Sequence, residues 1–224
     1  MKIDIITFGN LTCRYCGHPD SRKIAYVLYP IENLDSWLEK AVDRYKTSIA
    51  VITGMDWDND MTPWPAPGVP KGSPAFKGLA PQFLDELTGR IVPVIEKNIG
   101  IQGITERTLV GVSLSGLFTL WQWPENDYFH NIAILSGSFW YNDFVSWVLC
   151  QSFAAKSGCC YMLLGRDEPN SRNAIFATVG KCTEMITGYL HSQKVDITFE
   201  IVPGNHYQFQ TERLNRAMSH IYLP

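Results

Sequence analysis

The chain has 224 residues, 46% of them hydrophobic and 18% charged, with a formal net charge of −3. That apolar share suffices for a sizeable core and excludes disorder as the dominant state, while scattered charge without a polybasic face argues against nucleic acid or an anionic membrane as partner. No apolar run reaches the roughly 18 residues of a membrane-spanning helix, and the opening MKIDIITFGN lacks the continuous apolar stretch and cleavage site of a secretory signal, so a soluble, cytoplasmic protein is expected.

Strand and helix patterns alternate from end to end. A first strand is predicted over 2–8, followed by a turn in which Cys13, Cys16 and His18 stand close together, with Gly17, Pro19 and Asp20 as turn formers. The C-x-x-C pair has no second ligand pair at zinc-site spacing and no strand-to-helix setting for redox work. It is read, with Cys150, Cys159, Cys160 and Cys182, as reduced packing or loop cysteine. No metal is expected.

Further strands are predicted at 23–29, 48–54, 107–112, 131–137, 160–165 and 195–202, several of them continuous apolar runs of the kind covered on both faces. Helical spacing of apolar residues marks 34–46, 82–97 (with Pro93 kinking it or starting a new helix), 173–190 and 210–222. The alternation predicts one α/β domain, a mostly parallel sheet with helices on both faces. Residues 61–78 carry five prolines and three glycines and are expected to be an ordered functional loop rather than helix or strand.

The sharpest chemical signal is RTLVGVSLSGLF, residues 107–118. A strand enters Gly111-Val112-Ser113-Leu114-Ser115 and leaves as a helix, the pattern of a nucleophile elbow written G-x-S-x-G. Small flanking residues are needed because the serine sits in strained backbone where strand and helix approach closely. Ser113 takes the nucleophile position and Ser115 replaces the second glycine. The blander reading is a serine that only caps the helix; a register with Ser115 as nucleophile lacks the preceding glycine.

A serine nucleophile needs a base, in the chain order Ser, acid, His. His130 precedes any acid in the required order, while His191 and His220 fall on helices. His206, in Pro203-Gly204-Asn205-His206, follows the last strand at the carboxyl edge of the predicted sheet, where sites form. The acid should leave the 160–165 strand; Glu168 is the first choice and Asp167 the second. For the oxyanion, the N–H of Leu114 and one from Gly54-Met55, after the 48–54 strand, are the expected donors.

With these residues in place, the chain resembles the putative-esterase family of α/β-hydrolases, the branch holding enterobactin esterases and S-formylglutathione hydrolase, over about residues 45–210. The matching segments are GVSLSGLF at 111–118, Ser136-Gly137-Ser138-Phe139-Trp140, Asp58 to Pro63, Gly165-Arg166-Asp167-Glu168 and Gly204-Asn205-His206. The resemblance implies the α/β-hydrolase fold, Ser113 as nucleophile, Glu168 favoured as acid, and hydrolysis of a carboxylic ester of a small molecule without cofactor. At 224 residues the chain is short for that family, and residues 1–30 leave little room for an extended N-terminal sheet or a lid domain. An open cleft walled by the 61–78 loop, Trp57, Trp64 and Trp140 is therefore expected. The net charge gives no support for an acidic iron complex as substrate. An acyltransferase with the same triad and a non-catalytic binding protein of the same fold are the rival readings. Oligomeric state, a homo-oligomer included, is left open.

Overall fold

A computed structural model describes residues 2–101 and 103–223. In chain order the elements are β1 (Ile3–Phe8), β2 (Leu11–Cys16), β3 (Lys23–Leu28), α1 (Leu34–Tyr45), β4 (Ser48–Thr53), α2 (Trp57–Asp60), α3 (Ala80–Glu86), a π turn (Leu87–Ile91), α4 (Val92–Ile99), β5 (Glu106–Val112), α5 (Leu114–Glu125), β6 (Asn131–Leu135), α6 (Phe144–Leu149), β7 (Cys159–Gly165), α7 (Val179–Ser192), β8 (Asp196–Val202) and α8 (Gln210–Tyr222). The eight strands form one sheet in the order β1-β2-β4-β3-β5-β6-β7-β8. Pairings are antiparallel at β1–β2 and β2–β4 and parallel across the rest. This is the α/β-hydrolase fold.

Helices cover both faces. On one, α1 and α8 bury Trp37, Leu38, Val42, Leu214, Ala217 and Met218 against Ala25, Val27, Val110 and Tyr161 of the sheet. The two helices are tied by a hydrogen bond from Trp37 Nε1 to Asn215 Oδ1 at 2.9 Å. The larger core lies on the other face, where α3 to α7 contribute Phe83, Leu87, Leu117, Phe118, Trp123, Phe144 and Ile186. Strands β3, β4, β5 and β6 are buried almost throughout, which is why they read as continuous apolar runs. No described helix is long and apolar enough to cross a membrane.

Two sequence expectations are corrected. The segment around Cys13 and Cys16 is strand β2, not a turn; with β1 it forms an antiparallel hairpin that extends the sheet, so residues 1–30 do hold an N-terminal extension. The two cysteines, three residues apart on a strand, face opposite sides: Cys13 packs in one core and Cys16 in the other. Burial pushes the Cys13 thiol up to about 12, so it carries no thiolate. The 82–97 stretch divides where Pro93 was expected to kink it or start a new helix, into α3 and α4 joined by the π turn. Pro93 falls in the first turn of α4, directly after the π turn, whose Val92 N–H donates to the Leu87 carbonyl. The 173–190 pattern opens with a 3-10 turn at Phe176–Thr178 before α7 begins.

The 61–78 loop is pinned rather than free. Its backbone bridges Ala66 to Phe76. Asn59 Oδ1 accepts from the Lys77 N–H at 2.9 Å, and Trp64 Nε1 donates to the Asn142 carbonyl at 3.0 Å. The Trp64 ring sits among Tyr141, Phe144 and Trp147.

Candidate active site

The site lies at the carboxyl ends of β5, β7 and β8. Ser113 stands between β5 and α5 with φ 58° and ψ −121°, the strained backbone of an elbow. Its N–H donates to the Leu135 carbonyl at 3.0 Å and its own carbonyl accepts from the Ser138 N–H at 3.0 Å, which holds the strain in place. The close approach is enforced by glycine: a Cβ on Gly111 would meet the Ser115 carbonyl oxygen at 2.1 Å. Ser115, fully buried, keeps the second small position by satisfying its hydroxyl. It accepts from the Val112 N–H at 2.8 Å and donates to the Leu28 carbonyl at 2.6 Å. Buried and bonded to the backbone, Ser115 has no access to a substrate.

The structure brings three predicted residues into one chain of contacts. Ser113 Oγ lies 3.0 Å from His206 Nε2, and His206 Nδ1 lies 2.8 Å from Glu168 Oε2. Glu168 is 6% exposed, and its other oxygen accepts from Ser136 Oγ at 2.6 Å, the Gly165 N–H at 2.8 Å and Arg213 Nη1 at 3.2 Å. Burial pushes the Glu168 carboxyl up, but the hydrogen bonds from His206, Ser136 and Gly165 and the His206 charge hold it below its ordinary value. A Cβ on Gly165 would meet Arg213 Nη2 and the Gly204 carbonyl at 2.5 Å each, so only glycine lets this carboxylate sit there.

Asp167, the second candidate acid, is exposed and forms no hydrogen bond or ion pair with His206. Its backbone N–H donates to the Gly204 carbonyl at 3.1 Å, and the 3-10 turn over Glu168–Asn170 sends the Glu168 side chain inward instead. The other histidines lie elsewhere: His130 Nδ1 accepts from the Arg107 N–H at the opposite sheet edge, and the His220 ring packs on Tyr161.

The expected oxyanion donors separate. Leu114 is the first residue of α5, and by position its N–H has no intrahelical acceptor. Gly54 and Met55 follow β4, and strand order places β3, not β4, beside β5. They therefore stand two strand spacings from β5, about 10 Å, and Gly54 packs on the Asn10 backbone instead. Leu28 pairs with Gly111, so the loop next to Ser113 is Tyr29-Pro30-Ile31, whose available N–H donors are Tyr29 and Ile31.

A cavity of about 420 Å³ opens on Ser113 and His206, walled by Trp140, Phe176, Val179 and Tyr207. Trp140 is thus a cleft residue as expected. Trp57 and Trp64 are not among its walls: Trp57 packs edge-on to Tyr29, centroids 6.2 Å apart, and Trp64 pins the 61–78 loop.

Three residues of the site carried no role in the sequence reading. Arg213, 2% exposed, donates through Nη1 to Ser136 Oγ at 3.0 Å as well as to Glu168. Its Nη2 donates to the Pro203 and Asn205 carbonyls at 3.2 and 2.9 Å. It ties Glu168 to the His206 loop. The signal for it was present, since position 213 lies on the same helical stripe as Leu214, Ala217 and Met218. Ser136 and Ser138, whose Oγ lies 3.2 Å from Ser113 Oγ, were visible only as a serine-rich turn. Among the described residues no cluster of His, Cys, Asp and Glu could hold a metal ion.

Comparison with known proteins bears on this geometry. Residues 28–213 match the family described as "Putative esterase". The chain is 24% identical over 204 residues to the uncharacterized protein YbbA of Bacillus subtilis, covering 85% of this chain and 80% of that protein. Among solved structures, it is similar to the siderophore hydrolase EstB of Aspergillus nidulans, with a TM-score of 0.75 and 15% identity over 99% of this chain and 94% of that one. An IroE-like serine hydrolase of Shewanella oneidensis gives 0.76 and 17% over 95% and 75%. At these identities the structural likeness establishes the fold.

Proposed function

The chain belongs to the putative-esterase family, whose activity class is carboxylic ester hydrolysis, and on that premise we propose that Ser113, His206 and Glu168 form its catalytic triad and work through an acyl-enzyme. The observation that carries the reading is the unbroken relay from Ser113 Oγ to His206 Nε2 at 3.0 Å and from His206 Nδ1 to Glu168 at 2.8 Å. His206 Nε2 takes the Ser113 proton as Oγ attacks the ester carbonyl. Glu168 holds the imidazole in the tautomer with its proton on Nδ1 and stabilises the imidazolium that forms. Collapse of the tetrahedral intermediate expels the alcohol, which takes the proton from Nε2. Water then attacks the acyl-Ser113 ester, His206 again acting as base, and the acid product leaves.

The Leu114 N–H and one from Tyr29 or Ile31 hold the oxyanion, each such donor being worth about 10²–10³ in kcat. The six free cysteines support a cytoplasmic setting, where thiols stay reduced.

A fluorophosphonate probe with p-nitrophenyl esters as substrates tests the triad. The adduct is expected on Ser113 by mass spectrometry, and Ser113→Ala is expected to lose turnover by several orders of magnitude. Wild-type rates in that variant would overturn Ser113 as the nucleophile, and no adduct with no turnover on folded protein would leave the fold as a binding scaffold.

A further inference from the structure

The walls of the Ser113 cavity bear on the substrate class, an inference that rests on the triad reading above. Two kinds of group line it. Trp140 and Phe176 meet with ring centroids 4.7 Å apart at 55°, and Tyr207, 86% exposed, stands edge-on to His206 with centroids 5.2 Å apart. The charged groups are Asp167 and Glu168, and among the described residues no lysine or arginine lines the cavity.

The two carboxylates are not equivalent. Glu168 is neutralised by Arg213 and engaged with His206, Ser136 and Gly165. Asp167 has an exposed carboxylate with no hydrogen-bond or ion-pair partner among the described residues, so its charge is open to whatever enters. Arg166 and Arg172, on the same loop, are exposed, are not among the lining residues and form no ion pair with Asp167. Aromatic faces attract cations through the ring quadrupole, and an uncompensated carboxylate adds to the same preference while repelling an anion brought out of water beside it.

We propose that this cavity receives the cationic group of an ester substrate, an ammonium or quaternary ammonium, in preference to neutral or anionic isosteres, with Asp167 as the specificity-determining residue and Trp140 and Phe176 as the faces it packs on. The volume of about 420 Å³ suits a small-molecule group.

The test uses three p-nitrophenyl esters of matched length: 4-(trimethylammonio)butanoate, the neutral 5,5-dimethylhexanoate and the anionic glutarate half-ester. Each kcat/KM is divided by the ester's own hydroxide-catalysed rate. The cationic ester is expected to exceed the neutral one by about fivefold and the neutral to exceed the anionic by a similar factor, as for a partly exposed charge and ring contact. High salt should compress both ratios, and Asp167→Asn should lower the cation-to-neutral ratio by about half or more, leaving the share the rings supply, a ratio in which any change of overall rate cancels. Protection of Ser113 from the fluorophosphonate gives the same readout where the acyl groups do not fit: phenyltrimethylammonium should slow labelling more than benzoate does. Equal wild-type ratios, or ratios in Asp167→Asn the same as in wild type, overturn the proposal. Loss of all turnover and all labelling on folded protein would instead overturn the triad reading, and the two failures are distinct.

Discussion

Replacing Arg213 by Met tests whether Glu168, the proposed triad acid, is held by a cation it does not share with solvent. The guanidinium is 2% exposed and its partner Glu168 6% exposed, so the pair is one of buried charges. Removing one partner of such a pair costs about 3–5 kcal/mol, because the other charge is left uncompensated. Glu168 would retain the His206, Ser136 and Gly165 hydrogen bonds, which puts the expected loss near the lower end, about 3 kcal/mol. The two carbonyls of Pro203 and Asn205 also lose their donor, so the His206 loop should loosen. We expect kcat to fall by about 10–100-fold, with KM changed little because Arg213 does not line the cavity, a loss of order 1.4–2.7 kcal/mol in the barrier. Stability is read from urea midpoints at pH 7 and pH 4.5 and rates from a neutral p-nitrophenyl ester.

The pH dependence has a definite sign. Glu168 is held below its ordinary 4.5, so in the wild type it contributes stability that is present above that pH and lost as pH falls through the folded value. Without Arg213 its folded value rises, and protonation relieves the stranded charge. The variant's deficit should therefore be larger at pH 7 than at pH 4.5, and adding Glu168→Gln should recover part of it. A variant within 1 kcal/mol of wild type at pH 7 with wild-type kcat would refute the reasoning.

Glu168→Gln alone is expected to lower kcat by about 10³–10⁴-fold with the cavity intact, by fixing the wrong imidazole tautomer, and to flatten the acid limb of the stability curve between pH 5 and 3, measured by thermal melts across that range. Ser115→Ala removes the acceptor of the buried Val112 N–H and the donor to the Leu28 carbonyl. It should cost about 1–3 kcal/mol of stability while retaining kcat at temperatures where the protein is folded. A rate collapse without loss of stability would instead give Ser115 a chemical role.

Local patterns in the sequence carried much of this protein's organisation. The elbow at 111–116 is legible because strain at Ser113 demands small neighbours within a few residues. His206 is legible because the chain passes from a strand to a helix around it. The parallel sheet follows from apolar runs alternating with helical periods. What the sequence could not show depends on which strands lie side by side. β3 and β4 are both buried apolar runs with parallel neighbours, and nothing local tells which one pairs with β5. The oxyanion loop was therefore placed after β4 at Gly54 and Met55, whereas pairing puts Tyr29-Pro30-Ile31 beside Ser113.

Glu168 and Asp167 are adjacent carboxylates that only a 3-10 turn and the Arg213 pocket separate, and Arg213 itself comes from a helix 45 residues later. The β1–β2 hairpin was hidden because two cysteines beside turn residues read as a turn, although their opposite faces pack in two different cores. Elements are encoded by residues a turn or a strand apart, whereas their neighbours are chosen by burial across the whole chain, and in this protein the chemistry sits where those neighbours meet.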